Sequence, residues 1–165
     1  MLALSAQAAA WFLPFVLPIC LWVAYTDMKS MRITNKAVVT LFAVFVVVGL
    51  IALPLDAYLW RYLHLGVALV AGMALNAGGV MGAGDAKFIA AAAPFIHLGD
   101  LRFVLALYAA CLLAAYVAHR IVRATPIRRL APDWDSWSAG KRFPMGLALG
   151  PTLAIYLGAG LAFGK

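Results

Sequence analysis

Glutamate is missing from this chain of 165 residues, so aspartate alone supplies acid: Asp27, Asp56, Asp85, Asp100, Asp133 and Asp135. Chemistry that needs several carboxylates must draw on that short set. Cysteine is scarcer still. Cys20 and Cys111 each sit in an apolar run with no Cys-x-x-Cys, which argues against a cysteine zinc site or a redox pair and leaves buried packing. His64, His97 and His119 fall far apart in the topology derived below, so no metal site is expected, and no cofactor either. Nothing reads Gly-Lys-Ser/Thr, and no strand precedes "GGVMGAG", which removes a Walker loop and a dinucleotide fingerprint. Charge is thin throughout. Only 12% of residues are charged, against about a quarter in soluble domains.

What fills the chain instead is apolar: 66% hydrophobic residues and a mean hydropathy of +0.97. That composition predicts an all-α, polytopic membrane protein, read here as a single domain over residues 1–165. The formal charge of +7 then marks cytoplasmic loops and contact with anionic lipid, not nucleic acid. Nothing basic precedes Asp27, the first charged residue, so residues 8–26 read as a retained membrane helix and not as a secretory signal.

Uncharged runs place spans at 1–26, 37–55, 62–84, 103–118 and 143–164. Residues 88–99 are awkward, because twelve residues of helix reach only about 18 Å. Counting crossings decides their fate. Lys29, Arg32 and Lys36 mark one basic loop; Arg120, Arg123, Arg128, Arg129, Lys141 and Arg142 mark another. Basic short loops face the cytoplasm, so an even number of crossings must separate them, and 88–99 must help to make the fourth. Six helices follow, with both termini outside. Asp56 with Arg61, and Asp100 with Arg102, are left to outer loops. The loop tryptophans, Trp134 and Trp137, read as membrane-surface anchors. Asn76 reads as a helix-packing residue.

Two acids then need a reason: Asp27 in "AYTDMKSMRITN" and Asp85 in "GAGDAK". Both fall at the cytoplasmic end of a span, where an ionisable group is costly. Each has a plain structural reading. Asp27 can close a helix beside Lys29 or Arg32, and Asp85 can cap the next helix. Together, on glycines that permit close backbone approach, they fit a catalytic pair. One carboxylate takes a proton from water while the other, protonated, gives one to the scissile amide. Helix dipoles would favour an ionised Asp85 and a protonated Asp27.

These residues resemble the type IV prepilin peptidases, intramembrane aspartic proteases. "GAGDAK" is similar to their GxGD motif, "DMKSMRITN" to the other half of their site, and "RFPMGLALG" to the Pro-x-Gly start of their last helix. The resemblance implies Asp27 and Asp85 as the catalytic pair. It implies Gly82 and Gly84 as shapers of the turn, and Lys87 as the basic residue after the motif, with Lys29 holding the matching place after Asp27. The implied substrate is a prepilin precursor, cut after a glycine at the cytoplasmic face of the bacterial inner membrane. The chain lacks the length and cysteines of the bifunctional members, which also methylate. It therefore resembles the short peptidase-only form that serves Flp (tight-adherence) pili. Ile33-Thr34-Asn35 departs from the family, which has proline before the asparagine. Two other readings stand beside this one: a small ion- or proton-coupled transporter subunit, and a non-catalytic membrane scaffold.

Overall fold

A computed structural model describes residues 1–140 and 142–165; Lys141, one of the predicted basic-loop residues, lies outside the described residues. Among the described residues six α-helices run in order: α1 Ala6–Ser30, α2 Asn35–Ala52, α3 Leu55–Ala77, α4 Ala83–Ala92, α5 Leu101–Ala124 and α6 Gly146–Phe163. Among the described residues there is no β-strand, only an isolated bridge between Leu2 and Gly164. Five helices among the described residues are long and apolar enough to cross a bilayer; α4 is not one of them. The protein is an all-helical, multi-pass membrane protein.

Local sequence explains the boundaries. Ser5 caps α1, its Oγ accepting from the Ala8 N–H at 3.2 Å. Thr34 does the same for α2 through Ala37 at 3.3 Å, so the turn into α2 is capped without the family's proline. Pro54 opens α3, which begins before Asp56 and Arg61. Those residues are therefore helical and not in a loop, and Arg61 is buried with its Nη1 donating to the Pro94 carbonyl at 2.9 Å.

The core is centred on α1. Phe12 and Phe45 stack, Phe95 meets both edge-on, and Val16, Val23, Tyr156 and Leu157 belong to the same buried core. Helix α1 packs most extensively on α6, and α3 on α4. Small residues allow this. A Cβ on Gly150 would stand 2.5 Å from the Cys20 carbonyl oxygen, and one on Gly72 would stand 3.0 Å from the Ala86 Cβ. Lipid gives no hydrophobic drive between helices, so close backbone approach supplies the contact energy. Helices α3 and α5 leave most of their apolar surface exposed, as at Val67, Val70, Leu105 and Leu113, which suits lipid.

The segment after Asp85 is not one continuous helix. Helix α4 ends at Ala92 and continues as 3₁₀ turns at Ala93–Phe95 and Leu98–Asp100, with Ile96 and His97 extended between them. A 3₁₀ turn rises about 2.0 Å per residue, and extended chain about 3.3 Å. Both exceed the helical 1.5 Å. The same residues thus reach farther than an α-helix would.

The far end of that segment overturns one expectation. Asp100 is buried, 5% exposed, and is no ordinary loop acid. Its Oδ1 accepts the Ala3 N–H at 2.7 Å; its Oδ2 accepts the Leu4 N–H and the Tyr156 hydroxyl, both at 2.9 Å. Asp100→Asn turns an amide N–H₂ toward at least one of these donors. Hydrogen bonds to a charged group contribute about 1.5–3 kcal/mol each. The variant should lose about 2–4 kcal/mol of stability, read as a lower midpoint of thermal unfolding in detergent.

Two smaller expectations also change. Trp134 and Trp137 stack on one another at 5.7 Å and pack into the protein, against Tyr25 and the buried ring of His119. Asn76 donates to the Met81 carbonyl at 2.8 Å, so it pins the glycine-rich loop and does not join two helices.

Candidate active site

Asp27 lies one turn before the end of α1. The helix stops there because Met31 takes the left-handed region, φ 51°, and its N–H returns to the Asp27 carbonyl at 2.8 Å. The Asp27 side chain points inward and is 5% exposed. Its Oδ2 accepts the N–H of Gly146, the first residue of α6, at 2.6 Å. A Cβ on Gly146 would sit 2.9 Å from the Asp27 Cβ and 3.0 Å from its Oδ2. Glycine is required for that approach.

Asp85 arrives by a different route. Helix α3 ends at Ala77, and the chain reverses through Gly78–Met81, with Gly79 at φ +72°, a backbone conformation that glycine adopts without steric cost. Gly82 is the N-cap of α4, and Asp85 falls in that helix's first turn. A Cβ on Gly82 would stand 2.7 Å from Asp85 Oδ2. Gly84 lies against Ile33, where a Cβ would come within 3.3 Å of the Ile33 Cβ. The turn after α1 and the turn before α4 are packed together through that contact.

Both carboxylates line one cavity of about 640 Å³, walled by Met31–Ile33, Gly79–Asp85, Arg142, Phe143 and Met145. The glycine-rich break thus borders the cavity, where non-helical backbone is tolerated at membrane depth. Asp85 is half-buried and Asp27 buried. Two carboxylates facing one cavity disfavour joint ionisation. The dipole argument that separated them weakens here. Asp85 sits in the first turn of α4, but Asp27 meets the N-terminus of α6, so both carboxylates face the positive end of a helix.

The supporting lysines lie elsewhere. Lys87 Nζ donates to Asn35 Oδ1 at 3.1 Å, tying α4 to the start of α2. Lys29 Nζ lies 5.7 Å from the centre of the Tyr25 ring. Neither lines the cavity. Three features escaped sequence reasoning: the Gly146 N–H, and the side chains of Arg32 and Arg142 on the cavity wall. The Pro144-Met145-Gly146 helix start offered a clue to the first, since a helix N-terminus with glycine at its tip presents free N–H groups to an anion. Among the described residues no cluster of three or more His, Cys or Asp side chains is placed to hold a metal ion.

Fold and site together define a class: a multi-pass helical membrane protein that gathers two carboxylates from distant turns into one polar cavity. The model of the type IV leader peptidase family matches residues 14–118, a stretch that includes both aspartates. The chain belongs to that family and is a peptidase. Comparison with curated proteins and with solved structures yields no match.

Proposed function

We propose that this protein is an intramembrane aspartic endopeptidase that removes the short basic leader of prepilin precursors, cutting after a glycine at the cytoplasmic face of the bacterial inner membrane. The observation that carries the proposal is the convergence of Asp27 and Asp85 on one cavity. The ionised member of the pair takes a proton from water, and the water oxygen attacks the scissile carbonyl carbon. The protonated member gives its proton to the amide nitrogen, and the C–N bond breaks. The products are a leader carboxylate and a free pilin amine. The pair finishes with its proton exchanged between the two acids. Gly82 and Gly146 hold the carboxylates in place by giving them room, and Gly84 lets the turn before α4 pack on Ile33. Lys29 and Lys87 act at a distance, Lys87 by tying α4 to α2.

Six crossings fit this reading, with α4 and its 3₁₀ continuation as the fourth and both termini outside. In support, Asp85 shares the cavity with Asp27 at one end of α1, while Asp100 binds residues 3 and 4 at the other. The segment between the two acids therefore runs alongside α1, in the opposite direction. The basic loops then lie at the cavity end, beside anionic lipid. We read the chain, on the resemblance of its motifs, as the peptidase-only form that serves Flp pili, with residues 1–165 as one peptidase domain.

The test is direct. The purified protein, reconstituted in bilayers, is given a synthetic precursor with a basic leader, a glycine and an apolar helix. Mass spectrometry should find one new C-terminal glycine and one new N-terminus, at a rate unchanged by a chelator. An uncleaved precursor would sink the proposal. So would a rate that tracks membrane potential and not peptide, as a transporter subunit requires.

A further inference from the structure

Arg32 and Arg142 are the cations on the cavity wall. They lie on its two flanking loops, Arg32 just beyond the end of α1 and Arg142 just before the start of α6. Each loop adjoins an anchor of Asp27: the helix end that carries it, and the α6 N–H that it accepts. Among the described residues neither guanidinium hydrogen-bonds a carboxylate of the cavity. Arg128 and Arg129, earlier in the loop that carries Arg142, line no part of it.

We propose that Arg32 and Arg142 form a carboxylate-binding subsite for the peptide, which sets how the chain is seated for the cut. The inference rests on the peptidase reading above. Guanidinium presents a planar fork of donors that matches a carboxylate with two parallel hydrogen bonds, which an ammonium cannot reproduce. With one acid of the pair protonated, the cavity wall carries one more positive than negative charge. A peptide can bring a suitable carboxylate from two sources. One is an acidic side chain near the scissile bond. The other is the leader's own new C-terminus, which the reaction creates inside this cavity. In either case the arginines are specificity residues, since proton transfer belongs to the aspartates.

Binding and cleavage are measured separately on the full-length protein in bilayers. The binding probe is a short lysine-rich peptide ending in glycine, prepared as the free acid and as the carboxamide. If the new C-terminus is the ligand, the acid binds at least about tenfold more tightly than the amide. Arg32→Ala and Arg142→Ala then abolish that preference, and Lys at either position restores it only in part. If an acidic side chain is the ligand, acid and amide bind alike. Changing the precursor's acidic residue to its amide then raises KM about tenfold with kcat little moved, and the Arg→Ala variants show no further loss. Arg128→Ala with Arg129→Ala serves as the control and leaves both measurements unchanged.

The proposal is overturned if the Arg→Ala variants match wild type on every peptide. It is equally overturned if their deficit appears only in vesicles containing anionic lipid, which would make them readers of the membrane surface. Failure of the peptidase reading looks different: wild type then leaves the precursor whole, while the acid-against-amide comparison still reports on the subsite.

Discussion

Asp85→Asn should yield a membrane-inserted, folded protein whose cleavage of the precursor falls by about 10²–10⁴-fold, the range for a lost general acid or base. Asp27→Asn should do the same. Both substitutions keep the side chain's shape. At position 27 the asparagine carbonyl can still accept the Gly146 N–H that Asp27 Oδ2 now accepts, so the anchor survives and only the proton chemistry goes. One acid of the pair is already protonated, so an amide of the same shape at either position adds no charge and no bulk, and neither variant should unfold more easily than wild type. The double variant should be barely slower than either single one, because residues that act as a unit lose their function together. Rates come from mass spectrometry of the product, and folding from thermal unfolding of the same samples. Strong residual cleavage in either single variant would end the paired-acid mechanism.

The second large effect comes from adding a single methyl group. Gly146→Ala places a Cβ 2.9 Å from the Asp27 Cβ, and Gly82→Ala places one 2.7 Å from Asp85 Oδ2. Each carboxylate must move to make room. A displacement near 1 Å at a reacting group can cost about 10²-fold in rate. Both variants should therefore fall to about a hundredth of the wild-type kcat while they bind precursor with similar affinity. Gly66→Ala makes a fair control, because a Cβ there meets nothing within 4 Å. If Gly82→Ala and Gly146→Ala cleave at the wild-type rate, the carboxylates do not need the positions seen here.

Much of this was legible in the sequence, and the reasons are local ones. Long uncharged runs gave five spans that overlap the helices found, because a bilayer crossing needs length and apolarity and little else, although α3, Leu55–Ala77, begins and ends before the run 62–84 that announced it. The glycines before Asp85 marked a break, and the further crossing expected near 88–99 corresponds to the short α4 and its 3₁₀ turns, which fall outside the five helices long enough to span. What stayed hidden depends on contacts between distant residues. Asp100 looked like a loop acid beside Arg102, yet it binds amides 96 and 97 positions away. The Asp27 anchor is a main-chain N–H 119 positions along, and no side-chain pattern announces it. Lys29 and Lys87 occupied the right places in the motifs, but their long side chains turn to Tyr25 and Asn35. The tryptophans suited a membrane surface equally well until His119 and Tyr25 were seen to receive them.

The packing of the helices has one more implication. Asp27 rides on α1, which is bound most extensively to α6, whereas Asp85 rides on α4, which is bound most extensively to α3. The two acids thus ride on different helix pairs, and the cavity they line is walled by the ends of both. On the proposed mechanism their spacing is set by how the α1–α6 pair meets the α3–α4 pair, and a peptide wedged into the cavity is well placed to tune it.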